Sequence, residues 1–281
     1  MKVLFIGTGL IGGSFSLAMR KHGLLTAAGG YSRNPKNLDK SIALGIIDQK
    51  FDTMEAGIAW ADWIILSIPV DAIVKLLPGI LDQLKPGQGV IDFGSTKGTI
   101  CDAVATHPNR SQFLAAHPIA GTEYSGPDAA FDTLFDGKLM ILCNENETDA
   151  ALTSSFRMAS EKIGMQLESM EAHAHDRHLA YISHLSHITS FALSNAVLEK
   201  EKDGDIILEL AGSGFASTVR LAKSSPEMWA PIFMENKDKV LEALDDFLDQ
   251  AQAFRTMLKE NRSDEVLKFL EQGRLIKKVI D

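Results

Sequence analysis

The sequence predicts an α/β fold, with an N-terminal doubly wound parallel sheet followed by an all-helical domain. Three observations predict it. Short apolar runs alternate with helical patterns over residues 1–170, a glycine-rich turn joins the first run to the first helix, and no convincing strand pattern occurs beyond residue 172. A chain of 281 residues is long enough for two medium domains, expected at 1–170 and 171–281.

Val3-Leu4-Phe5-Ile6 is an unbroken apolar run, the mark of a parallel strand buried on both faces. Gly7-Thr8-Gly9-Leu10-Ile11-Gly12 follows at once and opens a helical pattern through Phe15, Leu17, Ala18 and Met19 that stops at Gly23. In this strand–turn–helix setting Gly7 permits a tight turn, Gly9 lets the backbone approach a pyrophosphate, and Gly12 lets the helix pack closely on the strand. The pattern predicts a Rossmann-type domain in which Gly7, Gly9, Leu10, Ile11 and Gly12 bind a dinucleotide, its phosphates facing the helix N-terminus.

The second strand, residues 26–31, ends where an NAD site usually places an acidic residue against the ribose 2′-hydroxyl. This chain has Ser32-Arg33-Asn34 there, which suits a 2′-phosphate and leans the expectation towards NADP. The plainer reading is a solvated Arg33 ahead of a helix opened by Asn34-Pro35. Helices 36–44 and 70–81 and strands 62–68, 89–92, 113–116 and 139–143 continue an alternation that implies parallel pairing throughout. Ser67 and Pro69, at a strand's C-terminal end, are expected cofactor contacts by position. Helix 148–163 and a short strand near 166–168 close the domain.

Helical patterns then cover residues 174–200, 206–210, 226–258 and 263–278. Leu241, Leu244, Phe247, Leu248, Ala251 and Phe254 recur at helical spacing, so these amphipathic segments need a surface to bury against, and a homodimer is expected. A net charge of −9 with no basic stripe argues against nucleic acid, and means that an anionic ligand must meet a local cationic pocket. No apolar run reaches the ~18 residues that span a bilayer. The N-terminus reads as an opening strand rather than a signal segment, and Cys101 and Cys143 stand in no paired motif, which together suggest a reduced, cytoplasmic setting.

Chemistry concentrates in three places. His117-Pro118-Ile119-Ala120-Gly121-Thr122-Glu123-Tyr124-Ser125-Gly126 follows one apolar run, and Gly94-Ser95-Thr96-Lys97-Gly98 follows another. If both runs belong to one sheet, both clusters lie at its ligand-binding edge, and His117 is the candidate acid/base. Five histidines fall between His173 and His187; His184 and His187, with Asp176 near, have the spacing of metal ligands. No cysteine joins them and hydride chemistry needs no metal, so none is expected; His173, His175 and His178 read as capped or solvated. Arg220, after a loop with two glycines, is either a surface arginine or a bidentate carboxylate clamp.

Taken in order, Gly7 to Gly12, Phe93-Gly94-Ser95-Thr96-Lys97, the His117 to Gly126 stretch, Ser183-His184-Leu185-Ser186-His187 and Gly212 to Arg220 with Pro226-Glu227-Met228-Trp229 resemble the prephenate/arogenate dehydrogenase family of tyrosine biosynthesis. The resemblance covers nearly the whole chain. It implies a Rossmann domain, a helical domain forming a homodimer, and oxidative decarboxylation of a dianionic cyclohexadienol with NAD(P). It also implies roles for particular residues: His117 as catalytic base, Ser95 hydrogen-bonded to it, Thr122 in the active-site turn, and His187 and Arg220 in the substrate pocket. Glu123 is placed to meet the ammonium that distinguishes arogenate, or to be solvated; prephenate is the preferred expectation. Ser186 stands where the family usually has proline, Ser217 and Val219 where it has Asp and Thr, and Ser32 where it has Asp. A β-hydroxyacid dehydrogenase is the rival, but that class uses a lysine where this helix carries His184 and His187.

Overall fold

The structure, a computed structural model, describes residues 1–122, 124–202 and 207–280. Compactness divides the chain into Met1–Asn236 and Lys237–Asp281, later than the boundary expected at residue 170. The first unit opens with β1 (Lys2–Ile6), α1 (Leu10–Lys21), β2 (Ala27–Tyr31), α2 (Pro35–Ala43), β3 (Gln49–Lys50), α3 (Met54–Trp60), β4 (Trp63–Leu66), α4 (Val70–Leu81), β5 (Gly89–Asp92) and α5 (Gly98–Asp102). It continues with β6 (Phe113–Ile119), β7 (Leu139–Cys143), α6 (Ala150–Lys162), β8 (Gln166–Met170), α7 (Ala172–Leu179), α8 (Leu185–Lys202), α9 (Ser213–Thr218) and α10 (Pro226–Glu235). In the second unit α11 (Lys237–Lys259) and α12 (Ser263–Gly273) face each other through Phe254 and Phe269, with ring centroids 5.2 Å apart.

Among the described residues eight strands form one sheet in the order β3-β2-β1-β4-β5-β6-β7-β8. The order reverses between β1 and β4, which opens a crevice at the C-terminal strand ends. The apolar runs are unbroken because both faces are covered. Val3, Phe5, Ile65, Ile91, Leu114 and Ala116 enter one buried cluster, while Leu4, Ile6, Ile64, Leu66, Val90, Phe113 and Ala115 enter the other, with Ala172 and Leu179 of α7. Strand alternation therefore puts His117, next after Ala116, on the face that α7 covers.

Two expectations are corrected. Pairing is parallel except between β6 and β7, which run antiparallel with His117 opposite Ile141. Parallel neighbours need a crossover, and among the described residues the β6–β7 connection carries only the 3₁₀ turn Pro127–Ala129. The helix expected over 174–200 is interrupted: a π-helical stretch, Ala180–His184, separates α7 from α8. The two-residue β3 and the short α3 are additions, too brief to leave a periodic signal. Among the described residues no helix is long and apolar enough to cross a membrane.

Candidate active site

The glycine turn has the shape its spacing predicts. Gly7 sits at φ +95°, and a Cβ there would lie 2.4 Å from the Ser67 carbonyl oxygen. A Cβ on Gly12 would lie 2.1 Å from Ser67 Oγ and 2.4 Å from Gly7 O, so α1 meets the strand ends at a distance only glycine allows. Over Gly9 the space is open, the nearest atom to a Cβ being Gly126 N at 4.0 Å. Leu10 and Ile11 begin α1, whose N-cap is Gly9 with no side-chain cap, leaving its first N–H groups for an anion. The cradle fits a dinucleotide pyrophosphate. Ser67 is placed differently from a free contact: its hydroxyl donates to Gly7 O at 2.7 Å and so holds the turn. Pro69 is exposed and caps α4. At the end of β2, Ser32 Oγ accepts from Asn34 N–H, while Arg33 is exposed and has no ionic partner among the described residues.

His117 lies half-buried near the end of β6. Its Nδ1 is 2.8 Å from Nε2 of His175, and its Nε2 has no partner among the described residues. His175, fully buried on α7, in turn has Nδ1 2.8 Å from Asp176 Oδ1. Asp176 also accepts the backbone N–H groups of Lys97 and Gly98, each at 2.7 Å, which join α7 to the turn after β5. Gly98 permits this approach, since a Cβ there would lie 2.9 Å from Asp176 Oδ2. Beneath the ring, Lys97 Nζ donates to Ala116 O at 2.8 Å and pairs with Asp92, and both side chains are fully buried. Burial, with the charges of His175, Lys97 and His184, pushes the His117 pKa well below the usual imidazole value. Burial also lowers His175, against the pull of Asp176. His117 is thus a neutral imidazole at physiological pH.

The helical side contributes through the π-helical stretch, a wider turn that re-phases the helix between His175 and His187. His184 is buried, its Nδ1 3.2 Å from Asn236 Nδ2, and burial pushes its pKa down to about 4. Asn236 Nδ2 also donates to Asp176 O at 2.7 Å, tying the end of α10 to α7 and explaining why compactness extends to this residue. His187 stacks on Trp229 with centroids 3.5 Å apart, and its Nδ1–H donates to Ser183 O at 3.0 Å. Arg220, on the 3₁₀ turn Arg220–Lys223, is exposed and unpaired among the described residues; after burial, its charge is the next influence holding the His187 pKa down.

The structure thus brings His117 together with β5, β6 and α7, and His187 with Arg220. Thr122 is exposed and accepts from Tyr124 N–H at 3.2 Å. Glu123 lies outside the described residues. The hydrogen bond expected between Ser95 and His117 is not formed: Ser95 has no hydrogen-bond partner among the described residues, and His175 takes Nδ1. His175 itself is a correction, since it is neither capped nor solvated, whereas His173 and His178 are exposed. The signal that could have found it is the His175-Asp176 pair directly after the last strand. Lys97 and Asp92 were also missed as site residues. Among the described residues no group of three or more His, Cys, Asp or Glu is arranged to hold a metal ion.

Comparison with known proteins adds an independent reading. The family model described as "Prephenate dehydrogenase, nucleotide-binding domain" matches residues 15–168, and that described as "Prephenate dehydrogenase, dimerization domain" matches 171–272. The chain is similar to the prephenate dehydrogenase of Bacillus subtilis, with 29% identity over 97% of this chain and 74% of the relative. It is also similar to the crystal structure of prephenate dehydrogenase from A. aeolicus in complex with hydroxyphenyl propionate and NAD+. That match has a TM-score of 0.89 at 30% identity, over 100% of this chain and 98% of that one. Synechocystis arogenate dehydrogenase matches with a TM-score of 0.81 at 28% identity over the whole of both chains.

Proposed function

The chain belongs to the prephenate dehydrogenase family, and from that premise we propose that it catalyses the oxidative decarboxylation of prephenate to 4-hydroxyphenylpyruvate with NAD(P)+. The observation that carries the reading is His117, a neutral imidazole at the sheet's C-terminal edge with Nε2 open. Nε2 accepts the proton of the ring C4 hydroxyl as that carbon becomes a carbonyl. The nicotinamide, when bound, supplies the acceptor for the hydride from C4. Cleavage of the C1–carboxylate bond releases CO2, and its electron pair aromatises the ring; the proton held by His117 returns to the phenolate oxygen.

Arg220 anchors a substrate carboxylate, which is how a chain of net charge −9 holds a dianion. His187, stiffened by Trp229 and Ser183, borders the same pocket, with Ser95 and Thr122 at its rim. Gly7, Gly9, Leu10, Ile11 and Gly12 hold the pyrophosphate, with Ser67 and Pro69 at the neighbouring strand end. Ser32 and Arg33 receive a ribose 2′-phosphate, so NADP+ is the preferred cofactor. The nucleotide-binding domain spans 1–170 and the helical domain 171–281, which pairs two chains into a homodimer. Exposed apolar residues of α11 and α12, among them Leu241, Leu248, Leu267 and Leu270, support that pairing. The buried free thiols Cys101 and Cys143 suit the reducing cytoplasm.

The test is reduced-cofactor absorbance with prephenate and with arogenate, each paired with NAD+ and NADP+. Turnover of prephenate, faster with NADP+, is expected; turnover of arogenate alone moves the substrate assignment, and turnover of neither overturns the reaction. His117→Asn should lower kcat by about 10²–10⁴-fold while cofactor binding survives. Near-normal kcat in that variant would remove His117 as the base.

A further inference from the structure

We propose that His175 and Asp176 are positioning residues that fix the tautomer of His117 and so make Nε2 the base. The inference rests on the reaction proposed above and on geometry that needs no ligand. Two backbone N–H groups, of Lys97 and Gly98, point at the Asp176 carboxylate, and an N–H can only donate, so both carboxylate oxygens accept. Asp176 Oδ1 therefore also accepts the remaining short contact, and His175 carries its proton on Nδ1. A neutral imidazole protonated on Nδ1 has its lone pair on Nε2, and that nitrogen faces His117 Nδ1 at 2.8 Å. His117 must then donate from Nδ1, which leaves its own lone pair on Nε2, the nitrogen without a partner. One carboxylate three groups away thus chooses which nitrogen meets the substrate.

The surroundings keep the chain of donors in this state. Burial, then His175, Lys97 and His184, disfavour positive charge on His117, which keeps it neutral until the substrate's proton arrives. Burial, and Lys97 to a lesser degree, disfavour it on His175 too, while Asp176, and Asp92 from β5, pull the other way. The proton taken up at Nε2 therefore creates a cation whose Nδ1–H is held by His175 Nε2, with the Asp176 carboxylate behind that ring. Without His175, Nδ1 would lose its acceptor, the ring would divide between tautomers, and the nascent imidazolium would lose its partner.

The experiment compares the full-length protein with His175→Leu, which removes the acceptor, and His175→Gln, whose amide oxygen can accept the same N–H. Histidine ¹⁵N shifts, recorded without substrate, report the tautomer directly. The wild type should show His117 protonated at Nδ1 and bare at Nε2, and His175→Leu a mixture. In steady state His175→Leu should lose about 10²-fold in kcat with KM within about twofold, and His175→Gln should recover about tenfold of the loss. An Nε2-protonated His117 in the wild type, kcat of His175→Leu within about threefold of wild type, or no recovery in an equally folded His175→Gln would overturn the proposal. If His175→Leu does not fold, the wild-type shifts and His175→Gln decide. If the wild type turns over neither prephenate nor arogenate, the proposed reaction fails while the shifts still judge the tautomer.

Discussion

On the sheet side of the site, Asp92, Lys97, His175 and Asp176 are sealed from solvent and hydrogen-bonded to one another or to backbone, and only the outer edge of His117 is open. On the helical side Arg220 stands exposed and is unpaired among the described residues. The two sides use charge in opposite ways. Buried charges compensated within the protein fix protons and ring orientations, at the cost of desolvation already met on folding. An exposed cation awaits its counter-ion from solution, and costs little until a ligand arrives. Removal of a charge should therefore damage stability on the first side and ligand affinity on the second.

The largest effect expected from this contrast is at Lys97. Asp92 is fully buried, its Oδ1 has no partner among the described residues, and burial already pushes its carboxyl up. Lys97→Met removes its compensating charge and should destabilise the protein by about 3–5 kcal/mol. The double exchange Asp92→Leu with Lys97→Met should recover most of that loss, because no charge is then stranded. Urea denaturation of the three proteins makes the check; a Lys97→Met variant as stable as wild type would show that the pair carries no stability.

Next comes the pH dependence of that stability. His184, held by burial at about 4 against an ordinary value of 6.5, binds its proton more readily unfolded than folded. Its contribution is complete above about pH 6.5 and is lost as pH falls towards 4, a loss of about 3 kcal/mol. His117 and His175, also lowered, act in the same direction. Asp48, which partial burial raises but the Ala28 N–H and Arg20 lower further, and Glu145, lowered by Arg157 and the Ser169 hydroxyl despite partial burial, act only below the ordinary carboxylate values of 3.8 and 4.5, so the windows separate. Denaturation between pH 7 and pH 4.5 should show a steep slope that His184→Gln flattens. A profile that is level above pH 5 would contradict the neutral, sealed histidines.

These two sides also differ in how far the sequence reveals them. The parallel core of the sheet follows from unbroken apolar runs and the glycine turn, because covering both faces keeps Val3 to Ile6, Trp63 to Leu66 and Phe113 to Ala116 apolar. The antiparallel β7 does not, since the β6–β7 loop shows its lack of a crossover helix only in three dimensions. His117 and Arg220 are legible as lone chemical groups in patterned stretches. Lys97 and Asp92 are hidden because charged residues are almost never sealed unless paired, and with one ending a strand and the other in the polar cluster after it, nothing in the sequence marks them as partners. His175 is hidden for a related reason: α7 is eight residues long, too short for its burial phase to be read, and its partner is 58 positions away on β6.

The exposed side supplies the smallest expected change, and it falls on affinity alone. A hydrogen bond to a charged group is worth about 1.5–3 kcal/mol, so Arg220→Ala should raise KM for the dianion by about 10- to 150-fold. Since Arg220 is exposed and unpaired, thermal stability should stay within about 0.5 kcal/mol of wild type. Arg220→Lys should fall between, because an ammonium keeps the charge but cannot offer a planar fork to both carboxylate oxygens. The same substitution has a second, ligand-free readout: removing the guanidinium should let the His187 pKa rise, since burial and Arg220 are what hold it down. An unchanged KM together with a risen His187 would place the arginine beside the pocket but outside the substrate's reach. A risen KM with a clear loss of stability would instead show that Arg220 is tied into the fold after all, and the division of labour between the two sides would fail there.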